Sequence, residues 1–195
     1  AKFHAIIIGP PGSGKGTQSD VLATKCKFHH ISTGDLIRDQ IRQQTEIGQQ
    51  IKELTESGKL VPDRIICKML VDFIQTLPKD ENFLIDGFPR TAAQAIFLLE
   101  HIKITHAIEL VGDEEKITER LSGRVFDPIT KITYHLINKP PPEDIKQRCI
   151  QRKDDTIDVI KQRFKLYKQS LDEIEHVCKH AKKVEITNKS IEQIA

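Results

Sequence analysis

The sequence predicts an α/β fold with a five-stranded parallel sheet covered by helices on both faces. Three observations predict it. Short apolar runs of the kind buried in parallel sheets alternate with segments whose apolar residues repeat at helical spacing. The first run, Ala5-Ile6-Ile7-Ile8, passes directly into the glycine- and proline-rich stretch Gly9-Pro10-Pro11-Gly12-Ser13-Gly14-Lys15-Gly16-Thr17, after which a patterned segment opens a helix. A chain of 195 residues suits one medium domain carrying insertions rather than two complete domains.

Taken in order, Val21, Leu22 and Ala23 continue the first helix, and Phe28 to Ile31 form a second short strand. Ser32 or Thr33 caps the next helix, which turns Leu36, Ile37 and Ile41 to one side. Thr45 to Ser57 is helical through Ile47, Ile51 and Leu54, with Gly58 placed to end it. Pro62-Asp63 starts an amphipathic helix carrying Ile66, Met69, Leu70, Phe73, Ile74 and Leu77 up to Pro78. Asn82 to Asp86 is a third buried strand, Thr91 to Ile102 a helix and Thr105 to Val111 a fourth strand. A helix from Asp113 then sets Arg120 and Arg124 four apart on one face, near Gly123. From Gly123 to about Asp155 the pattern changes to turns: Asp127-Pro128, one arm of a hairpin over Ile132 to Ile137, and the rigid Pro140-Pro141-Pro142. Asp154 and Asp155 open the longest helix, packed through Ile157, Ile160, Phe164, Tyr167, Leu171 and Ile174, and Val184 to Thr187 is the fifth strand.

The loop from Gly9 to Thr17 has the chemistry of a phosphate cradle. Glycines let successive N–H groups point into one concavity, and the following helix adds its positive end. Lys15 supplies a point charge for a polyphosphate, and a hydroxyl is needed near the magnesium that accompanies it. The general pattern puts that hydroxyl directly after the lysine; here Gly16 intervenes and it arrives at Thr17. The alternative is a strand-to-helix turn without a ligand.

Gly9 to Thr17 resembles the G-x-P-G-x-G-K-G-T loop of the nucleoside monophosphate kinases, and of the adenylate kinases in particular. Further motifs fall in the same order along nearly the whole chain: Ser32-Thr33-Gly34-Asp35 with Arg38, Gly58-Lys59-Leu60-Val61, Asp86-Gly87-Phe88-Pro89-Arg90 with Gln94, and Arg152-Lys153-Asp154-Asp155 with Arg163. The resemblance implies a P-loop core of residues 1–31, 62–122 and 156–195, an AMP-binding flap of residues 32–61 and a lid of residues 123–155.

By the same resemblance Gly12, Ser13, Gly14, Lys15, Gly16 and Thr17 hold ATP together with Arg120, Arg124, Thr133 and Tyr134. AMP is held by Thr33, Gly34, Arg38, Lys59, Leu60, Val61, Gly87, Phe88, Arg90, Gln94, Arg152 and Arg163. Gln94 reads the adenine edge, for which an amide that both donates and accepts is suited. Lys15, Arg90, Arg124, Arg152 and Arg163 carry the catalysis, and Thr17 and Asp86 order the magnesium water shell. Residue chemistry alone gives other readings at several of these positions. Thr33 is also a helix cap, Asp86 a turn residue, Arg120 and Arg124 partners of Glu114, Glu115 and Glu119, and Asp154 and Asp155 helix-start acids.

Two stretches depart from the family pattern. The lid turn has Ile129-Thr130-Lys131 where serine-glycine-arginine is usual, and Val184 to Lys189 lacks the glycine of the V-D-G-T-like turn beside the donor purine. Some relatives hold zinc in the lid with four Cys-type ligands; here Cys149 and His135 stand alone, and no zinc is expected.

Composition sets the remaining bounds. Thirty basic and 28 acidic residues leave a net charge of +2, without the global field that non-specific nucleic-acid binding uses. No apolar run is long enough to span a membrane, and four scattered cysteines predict a reducing compartment. The expectation is a cytoplasmic monomer that binds neither nucleic acid nor membrane, with the mitochondrion left open as an alternative compartment.

The implied reaction joins two phosphates, so it needs charge neutralisation and alignment but no general base. Six of the nine arginines, Arg38, Arg90, Arg120, Arg124, Arg152 and Arg163, fall on motif positions, whereas Arg42, Arg64 and Arg148 read as surface residues. The expected activity is reversible transfer from Mg-ATP to AMP giving two ADP. A kinase using another pair, such as GTP with AMP, is the near alternative, and a slowly hydrolysing nucleotide switch the remote one.

Overall fold

The structure is a computed structural model that describes residues 2–178 and 181–195. It begins with β1 (His4–Ile8), whose alternate residues face opposite sides of the sheet, and turns through the glycine-rich loop into α1 (Lys15–Cys26). β2 (His29–Ser32) follows, then α2 (Thr33–Arg42) and α3 (Glu46–Glu56). Ser32 is the residue that caps α2, its hydroxyl accepting from Asp35 N at 3.2 Å. Thr45 caps α3 by accepting from Gly48 N at 3.0 Å.

α4 (Asp63–Thr76) starts after Pro62, and β3 (Phe83–Asp86), α5 (Ala92–His101) and β4 (His106–Val111) complete a second α/β stretch. α6 (Glu114–Ser122) is capped by Asp113 and stops at Gly123. This corrects the expectation for Arg124: it belongs to β5 (Arg124–Phe126), so it does not share a helical face with Arg120. β5 pairs antiparallel with β6 (Thr133–His135), the expected hairpin arm, and α7 (Glu143–Lys146) follows the proline run.

A single 3-10 turn, Lys153–Asp155, precedes α8 (Ile157–Val177). Asp154 and Asp155 thus lie in that turn, and Ile157 is 57% exposed rather than part of the packed face, because the helix begins there and turns it outward. β7 (Lys182–Glu185) and α9 (Ile191–Ile194) end the chain. β5, α7 and α9 are short elements without a sequence period long enough to announce them.

The five-stranded sheet is parallel throughout, in the order β2-β3-β1-β4-β7. Register places Ile7 opposite Asp86 and Asp86 opposite Ser32, so three strands end level at one edge. Period-two alternation divides the core between the two faces. Ile6, Ile8, Ile31 and Ile85 pack with Leu70 and Leu98 on one side, and Ala5, Ile7 and Leu84 pack with Ile160 and Phe164 on the other. One carboxylate interrupts this apolar layer: Glu109 of β4 is 1% exposed, with Lys183 Nζ 3.7 Å away and bound also to Glu175. None of the helices formed by the described residues is long and apolar enough to cross a membrane.

α2 and α3 cross very closely at Gly48. A Cβ there would lie 2.1 Å from the carbonyl oxygen of Gln40 and 2.5 Å from its carbon. Backbone atoms cannot rotate aside as a side chain can, so Gly48→Ala is expected to destabilise the protein by about 1–3 kcal/mol, the usual cost of overpacking. Thermal melting of the variant checks this; an unchanged midpoint would mean that the two helices separate freely.

Candidate functional site

At the level edge of the sheet, β1 runs into the loop that carries Gly12, Ser13 and Gly14. Gly12 has φ +80°, and a Cβ on it would overlap Leu121 of α6 at 2.4 Å, so only glycine lets the loop lie against that helix. Lys15 folds back into the loop, its Nζ donating to the carbonyls of Gly9 at 2.9 Å and Pro10 at 2.8 Å. Desolvation pushes its pKa down to about 7, reinforced by Arg90, Arg163 and Arg124 and opposed by Asp86. Ser13 is fully buried with a hydroxyl that has no hydrogen-bond partner among the described residues.

Asp86 closes this side. Its carboxylate would be 3.4 Å from a Cβ on Gly16, one residue before Thr17, and its backbone oxygen accepts from the Thr33 hydroxyl at 3.1 Å. Thr33 therefore bonds to the end of β3, while Ser32 does the capping. The Thr17 hydroxyl and the Asp86 carboxylate are hard oxygen donors, suited to a hydrated magnesium ion.

The remaining cations come from elements far apart in sequence. Arg90 Nε donates to Gly87 O at 2.7 Å; desolvation, followed by the positive charge of Arg163, pushes its pKa down to about 10. Arg38 donates from Nε and from a terminal nitrogen to Asp35 Oδ1 at 3.2 and 2.5 Å. Arg124 grips buried Asp155 with two bonds, at 2.7 and 2.5 Å, and Arg163 donates to Asp154 at 2.8 Å. The two acids are thus partners of arginines instead of helix caps. Burial opposes ionisation of Asp154, but Arg163, then Arg124, hold its carboxyl below the usual range.

Arg152 is pushed down to about 10 by desolvation and by the nearby charges of Arg38 and Arg124. These mutual influences show that Lys15, Arg38, Arg90, Arg124, Arg152 and Arg163 converge. Asp35, Asp86, Asp154 and Asp155 stand among these basic groups and offset part of their charge.

One cleft beside this cluster is lined by Gly34, Arg38, Lys59, Val61, Arg90 and Arg163, with Gly58 and Asp154 among its other walls. Not every expected residue reaches it in the same way. The Phe88 side chain is wholly buried in the core, so only its backbone can face a ligand. The Gln94 amide is engaged by protein, Oε1 accepting from Arg90 N at 2.7 Å and Nε2 donating to Asp63 at 2.7 Å. One amide hydrogen and one lone pair remain on it for a base edge. Half-buried Arg120 sits on α6, and Thr133 and Tyr134 sit on β6, the Tyr134 ring lying under Lys139 at 5.8 Å. Leu60 is half-buried next to the cleft residues Lys59 and Val61.

Arg148 is not a plain surface residue. It donates two hydrogen bonds, at 2.9 and 2.7 Å, to Asp127, whose side chain is fully buried and accepts also from Thr130 and from Ile129 N. Those donors, Arg148 first, hold the Asp127 carboxyl well below the usual range. Two ion pairs cross from the 123–155 segment to the 32–61 segment: Lys131 to Asp39 at 3.6 Å and Lys153 to Glu56 at 2.8 Å.

His30 escaped the sequence reading. Its Nδ1 lies 2.7 Å from Asp20 and its Nε2 3.6 Å from Asp86. Desolvation disfavours the charged ring, but the two carboxylates outweigh it and push the pKa up from 6.5 to about 9. The folded value lies above the unfolded one, so the stabilisation is complete below pH 6.5 and is lost as the pH rises through 9. Urea titrations should lose roughly 2 kcal/mol across that window, less than the full shift because Asp20 is largely exposed. His30→Gln should flatten the slope; an equal slope in the variant would remove His30 as its source.

Comparison with known proteins places this geometry. Residues 7–183 match the family model for adenylate kinase. The chain is 43% identical over 181 residues to an adenylate kinase of Giardia intestinalis, an alignment covering 92% of this chain and 73% of that protein. It is 39% identical over 176 residues to an adenylate kinase of Chloroherpeton thalassium, covering 85% and 81%, and 40% identical over 187 residues to one of Buchnera aphidicola, covering 93% and 87%. With the phosphate-type loop, the parallel sheet and the arginine cluster in one arrangement, the chain belongs to the adenylate kinase family of phosphotransferases.

Proposed function

We propose that this site transfers the γ-phosphoryl group of magnesium-bound ATP to AMP, reversibly, giving two ADP. The observation that carries the reading is the convergence of Lys15 and five arginines on one partly compensated cluster at the carboxyl edge of the sheet. Two polyanions cannot approach in line until their charges are offset, and an AMP phosphate oxygen is already ionised at neutral pH.

In this reading the amides of Gly12 to Thr17 and the Lys15 ammonium hold the donor phosphates, with Arg124 reaching them from β5. Arg38 and Arg90, lining the cleft beside Thr33, Gly34, Lys59 and Val61, hold the AMP phosphate. Arg152 and Arg163, each close to both Arg38 and Arg124, offset charge that spreads during transfer. Thr17 and Asp86 hold the water shell of magnesium, which neutralises phosphate charge when bound. Residues 32–61 act as a flap and residues 123–155 as a lid that excludes water as a competing acceptor. A cytoplasmic monomer is the form we assign to the enzyme, without nucleic-acid or membrane partners.

Lys15→Ala and Arg90→Ala are each expected to lower turnover in a coupled ADP assay at least a hundredfold, the scale of losing one charge-stabilising donor. Near-normal turnover in either variant would contradict its role, and phosphorus NMR of ATP with AMP identifies the product directly.

Lys15 also makes a pH prediction. With a pKa of about 7 in the free site, it is largely neutral at pH 8, and phosphate oxygens drive it back toward 10.5. ATP binding at pH 8 should therefore take up a proton, seen as a dependence of calorimetric heat on buffer ionisation enthalpy that Lys15→Met abolishes. Identical buffer dependence in both proteins would assign the proton elsewhere.

A further inference from the structure

We propose that Phe126 is a positioning residue for Arg152, its ring face holding the guanidinium in place while leaving the N–H donors open to phosphate. The proposal rests on the reading of Arg152 as a phosphate-binding group.

The other arginines of the cluster are held through their hydrogens. Arg90 donates to a carbonyl, Arg38, Arg124 and Arg163 donate to carboxylates. Arg152 forms no ion pair among the described residues, and its Nε is buried without a hydrogen-bond partner among them. What it has is the Phe126 ring, whose centroid lies 4.8 Å from its Cζ.

The two modes of holding differ in what they leave over. A carboxylate accepts the in-plane hydrogens of a guanidinium and cancels its charge. An aromatic face attracts the cation from above through its quadrupole, so it takes none of the in-plane N–H hydrogens and does not cancel the charge. This matters for Arg152, which is already crowded by Arg38 and Arg124 and would otherwise have reason to swing away.

The backbone fixes both partners. Phe126 N donates to Ile150 O at 2.8 Å and Ile150 N returns a bond to Phe126 O at 2.9 Å, two residues before Arg152. The ring and the guanidinium are thus borne by residues joined at or next to the same backbone bridge.

The test uses the full chain with Phe126→Leu, Phe126→Tyr, Arg152→Ala and the double variant Phe126→Leu/Arg152→Ala. A further protein carries trifluorophenylalanine at position 126, which keeps the shape but weakens the ring face. Phe126→Leu and the fluorinated protein are expected to lose about tenfold in kcat with smaller changes in KM, the size of a desolvated cation–π contact, and Phe126→Tyr to stay within about twofold of wild type. The double variant should be no slower than Arg152→Ala alone. In NMR the Arg152 Nε–Hε signal of Phe126→Leu should lose its ring-current shift. Equal losses from Phe126→Leu with and without Arg152, or full activity of the fluorinated protein together with an Nε–Hε signal that does not move in Phe126→Leu, would overturn the proposal. Should wild type and Arg152→Ala turn over equally, the role of Arg152 itself falls, and the Nε–Hε signal still reports whether the ring holds it.

Discussion

Repulsion among like charges is the constraint on which this structure depends. Two unit charges 6 Å apart at an effective dielectric constant near 20 repel by about 3 kcal/mol, and here six cations converge on one site. Each needs a counterforce. Asp35, Asp154 and Asp155 supply it for Arg38, Arg163 and Arg124, the loop carbonyls of Gly9 and Pro10 for Lys15, and Gly87 O for Arg90. Burial lowers the pKa of Lys15 first, and the neighbouring Arg90, Arg163 and Arg124 add to it, against the pull of Asp86. An anionic ligand resolves the conflict, so the cost of assembling the site in the free protein becomes affinity when phosphate arrives.

The sheet makes this crowding tolerable by rigidity. Lys15 follows β1, Thr33 follows β2 and Arg90 follows β3, three strands brought level by the pairings Ile7–Asp86 and Asp86–Ser32. The apolar layers above and below them are closed, so these groups cannot drift apart without exposing core. Arg124 and Arg152 arrive instead from the β5 segment, where packing is thinner and several isoleucines are exposed. Lys15 and Arg90 thus sit at the closed sheet edge, and Arg124 and Arg152 on the more thinly packed part. Arg124 already spends two hydrogen bonds on Asp155, so in the proposed function a phosphate would compete with that carboxylate for the same nitrogens.

The sheet was legible where its strands are apolar runs bounded by turn residues, as in β1, β3 and β4; β7 is Lys182–Glu185, mostly polar, and lies two residues earlier than the expected Val184 to Thr187. The loop was legible because its glycines sit next to a lysine. What resisted reading was anything set by partners distant in sequence. Arg124 looked helical because four residues separate it from Arg120, but Gly123 ends α6 and hands the arginine to a strand that exists only by pairing with β6. Asp154 and Asp155 looked like helix-start acids because local pattern cannot register Arg163 or Arg124. His30 carries no motif at all; its role follows from the approach of α1 to the end of β3. Arg148 read as surface for the same reason, its partner Asp127 lying 21 residues away.

The two departures from the family pattern show how turn geometry survives a change of residue. Asn188 adopts φ +60°, the left-handed region a glycine would enter freely, and asparagine is among the side chains that tolerate it. Its amide oxygen accepts from Lys116 at 2.8 Å and Thr187 accepts from Asp113 N, so the turn is tied to the start of α6 by side chains. At the other site Lys131 takes φ +61° while Thr130 donates to Asp127, which Arg148 holds from the opposite side. That arrangement sends the Lys131 ammonium toward Asp39 on α2. Exposed pairs of this kind contribute only about 0–1 kcal/mol, too little to clamp the two segments shut. It is enough to bias their meeting by a small factor, as the proposed lid and flap would need in order to open again after closing.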